Sequence, residues 1–62
     1  MAYKMEDALL RYVNRDCTVF TVDEEFYGVL TEVGEGFVLV SEEGTDAIIN
    51  ISKIVGVQFD EE

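Results

Sequence analysis

The chain has 62 residues, four basic against fourteen acidic side chains (net charge −10), one cysteine and no histidine. That length makes one domain, residues 1–62, with a marginal core, and one thiol without histidine excludes an internal disulfide or a zinc site. Self-association is the support left for so small a core, and the acidic surface repels nucleic acid and anionic membrane at long range.

Met5, Ala8, Leu9, Tyr12 and Val13 recur at the spacing of one buried helical stripe, which predicts a short helix over about 5–14. Glu6 and Asp7 stand early and Arg11 and Arg15 late, the polarity a helix dipole favours. Asn14-Arg15-Asp16 reads as its stop. Lys4, Arg11 and Arg15 fall on one helical face, the only basic stripe in the chain. Dipole and ion-pair support accounts for that stripe, with contact to phosphate as the alternative.

Five closely spaced strand-like runs follow, over about 17–22, 26–33, 36–42, 46–51 and 54–59. The first, Cys17-Thr-Val-Phe-Thr-Val22, is β-branched and aromatic throughout. Cys17 is expected as a small core hydrophobe, and an unpaired thiol fits a reducing cytoplasm. No apolar run approaches the ~18 residues of a membrane span, and nothing reads as a signal peptide. Gly28 interrupts the second run, where a strand glycine marks a bend or a close backbone approach. Gly34-Glu35-Gly36 and Glu43-Gly44 read as turns around the third run. The acidic clusters Asp23-Glu24-Glu25, Glu42-Glu43 and Asp60-Glu61-Glu62 flank strands as solvated turns and lack the pattern of a calcium loop.

Ala47-Ile48-Ile49 shows no polar alternation, and Ile54-Val-Gly-Val-Gln-Phe59 is nearly as apolar. Both faces of these runs are therefore expected to be covered, which a domain of this size cannot do alone. Ile48, Ile49, Ile51, Val55, Val57 and Phe59 are the expected contacts with other copies, a helix over one face being the alternative. The fold expected is mainly β: a short N-terminal α-helix, then a strongly bent five-stranded antiparallel sheet or small open barrel.

This order of elements resembles the Sm-like superfamily of Sm, Lsm and Hfq proteins, as a divergent bacterial- or phage-type member. The residues that carry the likeness are Val13-Asn14, Val19–Val22, Gly28-Val29-Leu30, Val33, Phe37-Val38-Leu39-Val40 and Ile51-Ser52-Lys53-Ile54-Val55. The resemblance implies a homo-oligomeric ring in which strand four of one subunit pairs with strand five of the next. It also implies binding of single-stranded RNA at the strand two–three turn and the strand four–five corner. The family's pattern, counted from Gly28, sets its acidic residue at Gly34, its methionine at Phe37 and its uracil-reading asparagine at Val38. Asn50-Ile51-Ser52 stands where Sm proteins carry Arg-Gly and Hfq carries Tyr-Lys-His.

With those RNA-reading residues missing, the expected function is a non-enzymatic ring acting as a protein-interaction scaffold or regulator. The alternative is an RNA-binding ring that uses a reduced pocket (Asn50, Ser52, Lys53) or the lateral face of Arg11 and Arg15. A monomeric adaptor barrel would need clustered aromatic residues, and Tyr3, Tyr12, Phe26 and Tyr27 are not clustered in sequence. No nucleophile–base pair, phosphate loop or metal set is present, so no catalytic, cofactor-binding or metal residues are expected.

Overall fold

The N-terminal helix α1 spans Met5–Leu9 and tightens at once into a 3-10 turn, Leu10–Tyr12. It is shorter than the periodicity through Val13 predicts. Asn14 adopts a left-handed φ of 77°, which an Asn side chain tolerates and a continuing helix does not. The exit is then fastened to the sheet, because Asn14 N donates to Leu30 O (2.6 Å) and Leu30 N donates to Arg15 O (3.0 Å). No side chain caps the start at Lys4, so α1 depends on packing through Leu9, which is buried. The computed structural model describes residues 4–60; Tyr3, Glu61 and Glu62 lie outside the described residues.

Five strands follow: β1 (Asp16–Thr21), β2 (Glu25–Gly34), β3 (Phe37–Glu42), β4 (Thr45–Asn50) and β5 (Ile54–Phe59). A second 3-10 turn, Ile51–Lys53, joins the last two. They form one antiparallel sheet in the order β4-β3-β2-β1-β5. The sheet is not closed, so β4 and β5 are its free edges. Short helix, five antiparallel strands and this open order make up the Sm-like arrangement expected from the sequence.

Turn chemistry sets the registers. Thr21 Oγ1 accepts from Glu24 N (3.0 Å) and donates to Glu24 O (2.8 Å), shaping the glycine-free β1–β2 loop. Between the paired Glu42 and Thr45, Glu43 and Gly44 have φ of 48° and 86°. Both positive angles identify a type I′ turn, whose twist suits a two-residue hairpin.

Two features bend β2. At Gly28 a side chain would collide with the Ser41 carbonyl of β3, so the strands approach there more closely than any Cβ allows. Beyond it the register against β3 slips around Thr31, a β-bulge that increases local twist. Thr31 Oγ1 donates to Leu39 O (3.2 Å) at that slip.

The concave face carries the core, with Cys17, Val19, Leu30, Val38, Val40, Ile49 and Ile54 buried beneath Leu9. The consecutive isoleucines of β4 divide between the two faces of the sheet. Ile49 pairs with Val38 and is buried, whereas Ile48 pairs with Leu39 on the convex face and is 72% exposed. Ordinary strand alternation therefore operates inside an apolar run, and nothing in the single chain covers its outer face.

Candidate functional site

The candidate RNA-reading corner is assembled by two contacts. Phe37 and Asn50 are cross-strand partners, and Ile51 N donates to Gly36 O (3.0 Å). The β2–β3 turn and the β4–β5 corner thus meet at one end of the sheet. Asn50 Oδ1 accepts from Ser52 N (3.1 Å) and Ser52 Oγ (3.0 Å), capping the 3-10 turn. That leaves the Asn50 amide NH2 and the Ser52 lone pairs for a ligand, with the exposed Lys53 beside them.

The positions that read RNA in Sm proteins are filled otherwise. The Phe37 ring lies so close over Gly34 that any side chain there would collide with it. Val38 is completely buried in the core. Neither position presents a polar group to solvent.

Arg11 and Arg15 are not part of that corner, and the lateral stripe predicted on one helical face is broken. Lys4 and Arg11 are exposed on the helical segment, but the chain has left the helix before Arg15. The Arg15 guanidinium lies 5.6 Å from the Tyr12 ring centroid and donates through NH2 to Asp60 O (2.9 Å). Its Nε is buried without a partner among the described residues. Arg15 is a structural clamp on the C-terminal end of β5.

The same end gathers negative charge. Tyr27 OH donates to Asp60 Oδ2 (3.3 Å), and Asp60 with Asp16 pushes the Tyr27 hydroxyl above its ordinary value. Cys17 is shifted upward as well, first by burial and then by Asp16 and Asp60. A protonated, enclosed thiol is a poor nucleophile.

The expected oligomer residues divide by position. Ile49 belongs to the chain's own core, and Ile51 packs partly against it. Ile48 and Val55, 72% and 67% exposed, stand on the two free edges. Val57 and Phe59 line a groove of about 290 Å³ with Met5, Ala8, Leu9 and Tyr12, between the helix and the β5 edge. This groove has no sequence signature, because it needs the stacking of Tyr12 on Phe59 across the fold.

Among the described residues, no three His, Cys, Asp or Glu side chains come together as metal ligands, and no helix is long and apolar enough to cross a membrane. No protein-family model matches the chain, and no curated protein matches it.

Proposed function

We propose that the protein is a divergent Sm-like, non-enzymatic homo-oligomer: a ring built by strand addition that serves as a protein-interaction scaffold or regulator. The observation that carries this reading is the pair of free edges. β4 and β5 are each six residues long, and each presents a large apolar side chain, Ile48 or Val55, to solvent. An exposed apolar edge is a template for another strand, and a monomer ordinarily blunts it with charge, proline or a cover. The groove between helix and β5 lies on the same edge, so an added strand would shield it too. The acidic surface favours a basic protein over a polyanion as the ring's client. Light scattering of the purified chain at micromolar concentration tests the ring: a multimer is expected, and a 7.0 kDa monomer sinks the reading.

A second reading, RNA binding, is favoured only by the corner where Asn50, Ser52 and Lys53 converge on the β2–β3 turn. Phosphate contacts supply most non-specific affinity, and Lys53 is the lone cation there. Filter binding to uridine- and adenine-rich oligonucleotides at low salt tests it. Retention that is lost on Lys53→Glu would support RNA binding, and no retention at tens of micromolar protein would end it.

A further inference from the structure

The core side of the sheet is left incompletely filled near the turn of the β3–β4 hairpin. On that side Thr45, Ala47 and Ile49 of β4 stand opposite Glu42, Val40 and Val38 of β3. Ile49 and Val38 are buried, whereas Ala47 contributes only a methyl group to the row and stays half-buried. Phe26 of β2 stands on the same side, because it pairs with the buried Val19. Between them lies a cleft of about 170 Å³ with Phe26, Val40 and Ala47 in its walls, and Glu25, Glu42 and Thr45 among its lining residues.

Size and charge together select what fits this cleft. Its volume is below the roughly 300–1,000 Å³ of small-molecule pockets and is about six water molecules' share of liquid. That is room for one long side chain. Its charge is all of one sign: both glutamates are exposed, and no lysine or arginine is among the lining residues. Arg15 is held on Asp60, and Lys53 lies at the β4–β5 corner. An anionic group is repelled there, and a purely apolar side chain gains nothing from the carboxylates. A lysine side chain matches both parts, because its four-carbon stem covers apolar wall while its ammonium stays at the wet rim.

We propose that this cleft is a docking site for a lysine side chain of a protein partner. The stem lies along Phe26, Val40 and Ala47, and the ammonium meets Glu25 and Glu42. This rests on the scaffold reading and names the group by which the scaffold holds a basic client.

Titration with Nα-acetyl-lysine methylamide tests the site, at low salt and read by the amide NMR shifts of the isotope-labelled chain. Saturable shifts centred on Phe26, Val40, Glu42 and Ala47 are expected. The norleucine analogue, which keeps the four-carbon stem without the ammonium, should give none. Two variants, checked for folding by circular dichroism, separate the cleft from general attraction to an acidic chain. Glu25→Gln with Glu42→Gln keeps the shape and removes the charge, whereas Ala47→Leu keeps the charge and fills the space. Each should weaken binding by about tenfold or more. The glutamine pair, at exposed positions, decides the matter even if Ala47→Leu does not fold.

Three results would each overturn the site: shifts spread over the acidic surface without saturation, equal binding of the norleucine analogue, or full binding by a folded Ala47→Leu. Light scattering of the same samples reads the assembly separately. A multimer that ignores lysine overturns the cleft alone, and a monomer that binds it removes the ring and keeps the cleft.

Discussion

Tyr12 stacks on Phe59, with ring centroids 4.2 Å apart and planes 15° from parallel. The pair joins the end of the helical segment to the last strand, and the Arg15 guanidinium lies over the Tyr12 ring, 5.6 Å from its centroid. One turn of α-helix cannot persist in water without such an anchor. Phe59→Ala should therefore lower stability by about 2–4 kcal/mol, through lost burial and lost ring contact. Urea denaturation measures this, and a loss below about 1 kcal/mol would show that the helix is held by other means.

The close approach at Gly28 makes a sharper case. A methyl group there meets the Ser41 carbonyl, which is ladder backbone and cannot swing aside. Gly28→Ala is expected to cost about 1–3 kcal/mol as overpacking. Gly36→Ala is the informative comparison, because nothing lies near that position and only its φ of 87° resists a side chain. If both variants lose the same stability in thermal melts, the contact with Ser41 contributes nothing beyond backbone preference.

Glu43 occupies a left-handed position that asparagine adopts more readily. Glu43→Asn turns Glu-Gly into the preferred Asn-Gly of a type I′ hairpin and removes one negative charge. It should stabilise the chain by a few tenths to about 1 kcal/mol. The same gain at high ionic strength would assign it to the turn, whereas a gain that salt abolishes would assign it to relief of charge repulsion.

Strand positions were legible because β-branched runs alternate with glycine and acidic turns at short spacing, and each observed strand lies within a residue or so of its expected range. The end of the helix was not. The apolar period runs on through Val13, while the break depends on the left-handed Asn14 and its bond to a distant carbonyl. Consecutive isoleucines likewise hide alternation: only pairing of Ile49 with Val38 and Ile48 with Leu39 decides which one is covered. The bulge at Thr31 left no composition signal. At the corner, the link from Asn50 to Ser52 follows a capping pattern that sequence can reveal, whereas the burial of Val38 and the cover of Phe37 over Gly34 required the fold.

Cys17 gives the fold a pH dependence of definite sign. Burial, then Asp16 and Asp60, raise its folded value above the ordinary 9.0. The unfolded thiol therefore ionises first as pH rises. Its contribution is present in full below about 9.0 and is lost as pH climbs toward the higher folded value. Denaturation midpoints should fall over that window, and Cys17→Ala should flatten the fall. At neutral pH, alkylating reagents should label Cys17 slowly in the folded chain and rapidly in urea. Equal labelling rates would mean that the core opens far more readily than its burial indicates.

The division of β4 between core and edge allows folding to be separated from assembly. Ile49 is 5% exposed, and Ile49→Ala should cost about 2–5 kcal/mol, enough to unfold much of a marginal domain. Ile48 lies outside the core, so Ile48→Lys should change the stability of the isolated chain by no more than about 0.5 kcal/mol. A lysine on the edge should still block strand addition, since edge lysines are a common defence against such pairing. Val55→Lys should do the same from β5. Light scattering of both lysine variants should then give a folded monomer near 7.0 kDa where the parent is larger. If the lysine variants remain multimeric while Ile49→Ala unfolds, the assembly uses a surface other than the β4 and β5 edges.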